Sequence, residues 1–149
     1  MTDLLSLGDT SKANAIHTLE LVHPDTKEPL ALADGSKVTV EYVGFESDDA
    51  LDANRENRKI GYQRMADGLG PSPEVEDNAF YRLLAHCTKG WNGVPKAWLG
   101  GPKVEGAGDP LPFTRDNAMA LYKRLPWFRI QMNTAMTRQR GFGKASSES

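Results

Sequence analysis

The sequence predicts an α+β fold, with a short N-terminal antiparallel β segment followed by about four α-helices in a single domain. Two observations point that way. Alternation of apolar and polar residues is confined to the stretch before Glu46, and apolar spacings of three and four take over after Ser47. Gly and Pro then cut the helical stretch into pieces, at Gly68–Pro73, at Gly90–Pro112 and at Pro126.

Residues 15–140 are expected to form the domain, with 1–14 a flexible leader and 141–149 a flexible polar tail. The run Ile16–Val22 alternates like a half-buried strand. The sequences Pro24-Asp25, Lys27-Glu28-Pro29 and Asp34-Gly35 carry turn chemistry. A second strand places Val38, Val40 and Tyr42 on one face, against Lys37, Thr39, Glu41 and Val43 on the other. The two runs are expected to pair antiparallel, with helices covering one face, because two strands alone are marginal in water.

Ser47 caps the first helix, whose opening turn holds Asp48 and Asp49 at the positive end of the dipole. It runs to about Asp67 and is poorly amphipathic, with Leu51, Ile60, Tyr62 and Met65 its only large apolar residues. Ser72 followed by Pro73 opens the second helix, residues 73–89, with Phe80, Leu83, Leu84 and Cys87 on one buried stripe. Residues 90–112 read as a long irregular segment. Thr114 caps a third helix, 115–125, whose apolar positions are Ala118, Leu121, Tyr122 and Leu125. Pro126 ends it and opens a fourth, 127–139, carrying Trp127, Ile130, Met132 and Met136.

A length of 149 residues suffices for a core without disulfides or metal. Cys87 is the only cysteine, which suits a reducing compartment. No apolar run approaches the length of a membrane span, and the first ten residues lack the basic region of a signal peptide. Catalytic and metal constellations fail on spacing. His17, His23 and His86 stand at no zinc-type spacing from one another or from Cys87. His86 and Cys87 are helix neighbours and diverge by about 100°, a poor arrangement for a base and its nucleophile. Cys87 is better placed as a small core hydrophobe. No glycine loop matches a phosphate-binding pattern. The chain is therefore expected to be a binding protein without enzymatic activity, metal or cofactor.

Charge is unevenly distributed. Residues 1–79 hold 16 acidic and 7 basic side chains, and residues 80–149 hold 4 acidic and 11 basic. Such polarity fits self-association by charge complementarity, a nucleic-acid-facing half or simply a polarised solvated surface. The stretch Arg115–Lys144 interleaves Phe128 and Phe142 with cations, of which Arg124, Arg129, Arg138 and Arg140 are the candidate basic surface. These cations are spread round two helices and match no nucleic-acid module, so nucleic acid is the weaker expectation. The aromatic residues of the long segment are the candidate protein contacts: Trp98 and Leu99 foremost, with Trp91 and Phe113. Trp98 sits among Gly and Pro with no obvious helix to pack on, whereas Trp91 and Trp127 adjoin helices and are favoured as core anchors.

The turn His23-Pro24-Asp25-Thr26, the stretch Gly90-Trp91-Asn92-Gly93-Val94, and the later Pro110-Leu111-Pro112-Phe113-Thr114-Arg115-Asp116-Asn117-Ala118 follow in an order that resembles the tail assembly chaperones of long-tailed (siphovirus-like) bacteriophages. In that family a GWxG(V/I) stretch and a PxPFSxENA stretch precede a helix opened by proline. The resemblance covers residues 16–142. Here Thr-Arg-Asp-Asn replaces Ser-x-Glu-Asn, which keeps the cap chemistry, and the loop Pro95–Gly108 is longer than the family's. The resemblance implies a protein that holds the tail-tube protein or the tape-measure protein in the host cell cytoplasm during assembly. The alternative is a structural component of the virion, such as a tail-completion or head–tail connector subunit.

Overall fold

The computed structural model describes residues 11–139. The expected tail, the greater part of the leader, Arg140 and Phe142 lie outside that range. Three strands and five helices follow in the order β1 (His17–Glu20), β2 (Thr39–Tyr42), α1 (Asp48–Ala66), α2 (Pro73–Cys87), β3 (Thr88–Asn92), α3 (Ala97–Gly100), α4 (Arg115–Arg124) and α5 (Pro126–Arg138). The fold is α+β in a single compact domain, as the patterning predicts.

Strands β1 and β2 pair antiparallel with His17 opposite Tyr42 and Glu20 opposite Thr39. Between them the chain makes two tight turns. His23 Nδ1 accepts from the Asp25 and Thr26 N–H groups, and Asp34 Oδ1 accepts from the backbone and hydroxyl of Ser36. The alternation of the second strand reads correctly: Val38, Val40 and Tyr42 are all buried.

The third strand is a correction to the sequence reading. Residues 88–92 were expected partly as helix and partly as irregular chain, yet they pair antiparallel with β2, setting Trp91 opposite Val40 and Asn92 opposite Thr39. α2 passes into β3 without an intervening turn. Thr88 makes this possible, because its hydroxyl donates to the Leu84 carbonyl at 2.8 Å and closes the helix end. A register shift between Glu41 and Tyr42 accommodates the residue that the junction adds. Gly93, at φ 86°, then turns the chain out of the sheet.

The segment after Gly93 is also ordered. Leu111 N–H donates to the Val94 carbonyl, Lys96 to Asp109 and Ala97 to Ala107, so the excursion closes on itself with the single-turn helix α3 at its end.

Leu21, Val40, Val43, Leu84, Val94, Leu121, Tyr122, Phe128, Met132 and Met136 are almost wholly shielded from solvent and form one contiguous core. Each buried aliphatic contributes about 1.5–3 kcal/mol. Ile130, expected among the apolar positions of α5, and Phe128, expected among the basic residues, change places. Ile130 is 62% exposed and Phe128 fully buried, because α5 rotates Phe128 under α4, where its ring stacks on Tyr122 at 4.9 Å.

Helix α1 departs furthest from a core helix. Its only buried residues are Ala50 and Ala53, in its first two turns. It meets α2 through a polar seam, with Glu56 3.4 Å from both Arg82 and His86 and Asn57 Nδ2 donating to the Ala79 carbonyl at 3.0 Å, and it reaches the start of β3 through Asp49 and Lys89 at 3.1 Å. At its N-terminus Asn14 Oδ1 accepts from the Asp48 N–H at 2.8 Å, so the last residue of the expected leader is tied to the domain.

Candidate functional site

The aromatic residues singled out in the long segment fall into two clusters. Trp91 projects from β3, donates from its indole N–H to the Leu111 carbonyl at 2.8 Å, and meets the ring of Phe113 edge-on at 4.9 Å. Phe113 is itself 36% exposed, so this pair forms a half-covered apolar shelf beside the N-terminus of α4. Trp98 lies on α3, packs edge-on against Trp127 of α5 at 5.1 Å, and has Phe128 beneath it at 6.3 Å. The premise that Trp98 has no helix to pack on is therefore overturned. Its ring fastens the excursion to α5, and both it and Leu99 are partly buried against the core. The structure keeps Trp91 with Phe113 and Trp98 with Leu99 in separate places.

The candidate basic surface divides as well. Arg129 is committed to packing: its guanidinium donates to the Tyr122 carbonyl at 2.6 Å and lies 5.3 Å from the Tyr81 ring centroid. Arg124 and Arg138 are exposed in the last turns of α4 and α5, where a cation complements the negative end of the helix dipole. Phe128 is buried and out of reach of a base, which removes the described aromatic from the nucleic-acid reading.

Groups with reactive potential are spoken for by the fold. Burial pushes the Cys87 thiol up to about 12, and its sulfur faces the Gly44 carbonyl at 3.7 Å. His86 points the other way, towards Glu56 on α1, with its pKa lowered mainly by burial and further by Arg115, against the opposing pull of Glu56. Among the described residues no group of His, Cys, Asp and Glu has the arrangement of a metal site, and every buried side-chain nitrogen or oxygen has a hydrogen-bond partner. No helix among them is long and apolar enough to cross a membrane.

A surface that sequence reasoning missed lies on the α1–α2 hairpin. Tyr62 is 68% exposed, Met65 71%, and Leu51 and Leu69 49% each. A groove of about 330 Å³ runs between the end of α1 and the start of α2, lined by Tyr62, Met65, Leu69, Pro71 and Val75. Arg55, Arg58 and Lys59 stand on the adjoining face of α1. The signal was present in the residues: Leu51, Arg55, Arg58, Tyr62, Met65 and Leu69 recur at alternating spacings of four and three. Those spacings place the six residues along one side of the hairpin, hidden in the sequence because cations interrupt the apolar positions and the helix reads as poorly amphipathic.

The chain matches no protein-family model, no curated protein and no solved structure.

Proposed function

We propose that this chain is a non-enzymatic binding protein acting as a tail assembly chaperone in bacteriophage morphogenesis, holding the tail-tube or tape-measure protein in the host cytoplasm. The observation that best supports a binding role is the apolar surface left on the exterior. Leu51, Tyr62, Met65 and Leu69 cluster on one hairpin, with the Trp91–Phe113 shelf elsewhere. A holding protein needs such anchors to cover its client's adhesive surface, with charge to set register, and needs no reactive centre. The assignment to tail assembly is supported by the resemblance carried by Gly90–Val94 and Pro110–Ala118.

The test is co-expression with the tail-tube protein and tape-measure protein of the same gene cluster, followed by size-exclusion chromatography. Co-elution with either client, together with absence from purified virions, is the expected result. Stoichiometric presence in mature particles would instead make the chain a virion component. A nucleic-acid role, in which the exposed Arg124 and Arg138 would meet phosphates, stands behind the virion-component reading. Binding to generic DNA that weakens steeply with added salt would move the assignment there.

A further inference from the structure

Helix α1 is built inside out. At 100° per residue, Ala50, Ala53, Asn57, Ile60 and Arg64 share the side that faces α2, where Asn57 bonds to Ala79 and accepts from Arg82 at 2.6 Å. Leu51, Arg55, Arg58, Tyr62 and Met65 fall at spacings of four and three on roughly the opposite side. Helices of folded domains ordinarily turn their large apolar residues inward. Here alanines are buried, while a leucine, a tyrosine and a methionine stand in solvent. Cations accompany them. Arg55 is paired to Asp52 at 3.0 Å and Arg64 donates to the Gly70 carbonyl at 2.8 Å. Arg58 and Lys59 have no carboxylate partner among the described residues. The stripe therefore combines apolar anchors with uncompensated positive charge.

Three occupants fit an exposed helix face of this length, and charge chooses between them. A second copy related by a two-fold axis would centre α1 on α1 near Arg58, midway between Leu51 and Met65, and would bring Arg58 against its own symmetry mate. An anionic bilayer calls for a broad basic face, but Asp52 neutralises Arg55 on this stripe. That leaves Arg58 and Lys59 as its only unpaired cations among the described residues, enough to set the register of a helix and too few to hold a charged surface. A helix from another protein, with apolar residues at spacings of three and four and carboxylates on its flanks, matches both the anchors and the unpaired cations. We propose that the outward stripe of α1 docks an acidic amphipathic helix of a partner protein. This rests on the reading of the chain as a binding protein and is independent of its assignment to phage tails.

The probe is a synthetic helical peptide of about five turns, with leucines at spacings of three and four flanked by glutamates. Its counterpart carries lysines in place of the glutamates. Fluorescence anisotropy of the full chain is expected to give saturable, micromolar-range binding of the acidic peptide and at least about tenfold weaker binding of the basic one. Tyr62→Ala and Met65→Ser should each weaken the acidic peptide about tenfold without moving the thermal midpoint, since both side chains are exposed. Arg58→Glu should weaken the acidic peptide and improve the basic one. That exchange of preference cannot come from misfolding.

Equal affinity for the two peptides, or none, would overturn the proposal. So would binding of phosphatidylcholine–phosphatidylserine vesicles in preference to the peptide. Reversible dimerisation abolished by Tyr62→Ala would assign the face to a second copy. A large gain in affinity on deleting residues 1–10, which carry Leu4, Leu5 and Leu7 with Asp3 and Asp9, would assign it to that segment instead. Peptide binding that persists while the tail proteins fail to co-elute would retain this surface and remove the phage assignment.

Discussion

Thr88 has one hydroxyl proton, and the geometry directs it to the Leu84 carbonyl at 2.8 Å. The 2.6 Å contact between Thr88 Oγ1 and the Tyr122 hydroxyl therefore has the phenol as donor. Both residues are buried, and burial raises the Tyr122 pKa, so the phenol remains protonated at neutral pH. The two ends of this chain are unequal. Tyr122→Phe removes one donor and leaves Thr88 bonded to Leu84, at a cost of about 1 kcal/mol. Thr88→Val strands both the phenol and the helix-end carbonyl, and should cost about 2–4 kcal/mol on the same reasoning. Urea unfolding of the two variants measures the ordering, and a Thr88→Val loss no larger than that of Tyr122→Phe would contradict it. His86 supplies the pH dependence. Its folded pKa lies below the ordinary 6.5, so the unfolded chain takes up its proton first as pH falls. Stability from the neutral imidazole is complete above the unfolded value and is lost progressively as pH drops from about 6.5 towards the lower folded value. Glu56 opposes this, being placed to welcome the charged form. His86→Gln should accordingly flatten the stability profile between about pH 7 and pH 5, while Glu56→Gln should steepen it. Thermal midpoints across that range decide, and identical profiles for wild type and His86→Gln would exclude this histidine as the source.

Helix ends were legible because their chemistry is local. Ser47, Ser72 and Thr114 each accept from the backbone N–H three residues on, and Pro126 opens α5 as its fixed φ allows. The caps differ in environment, and that difference is measurable. Ser47 is fully buried, donating to the Gly44 carbonyl at 2.7 Å as well as accepting from Ala50 at 3.2 Å. Thr114 is exposed and accepts only from Asn117 at 3.0 Å. Thr114→Ala should cost about 1 kcal/mol, and Ser47→Ala about 2 kcal/mol, because it removes two buried hydrogen bonds where Thr114→Ala removes one exposed bond. Equal losses by chemical denaturation would mean that burial adds nothing to the cap at Ser47. Strand β3 was not legible, because nothing in Lys89-Gly90-Trp91-Asn92 alternates. The segment is a strand because β2 offers an edge and Trp91 has Val40 to pair with, a condition set by chain far away in sequence. The facing of α1 was hidden for a related reason. Its inward side is specified by alanines and by polar partners on α2, so the few large apolar residues of a poorly amphipathic helix gave no direction for its facing.

At the scale of the whole molecule, a strand-first, helices-after order was enough to give the fold class, but where the long segment rests depends on contacts between distant parts of the chain. Trp98 shows this best, since neither its neighbours nor its spacing reveals that Trp127 will be waiting on α5. The same holds for Gly44, where any Cβ would overlap the Gln139 carbonyl, joining the exit of β2 to the end of α5 across most of the sequence. Trp98→Ala is therefore expected to destabilise the fold, not merely to weaken a contact with a partner. Losing a half-buried indole and its edge-on partner should cost about 2–3 kcal/mol, and Trp127→Ala should cost a similar amount. If the two rings act as one clasp, the double variant loses less than the sum of the singles, with a coupling of about 0.5–1.5 kcal/mol. Trp91→Ala, on the separate shelf with Phe113, should add to either without coupling. Equilibrium unfolding of the three single variants and the three double variants completes the cycles. Strict additivity of Trp98→Ala with Trp127→Ala, or a Trp98→Ala protein as stable as wild type, would show that the excursion is not clasped to α5. Trp98 would then return to the surface as a candidate contact, beside the stripe on α1.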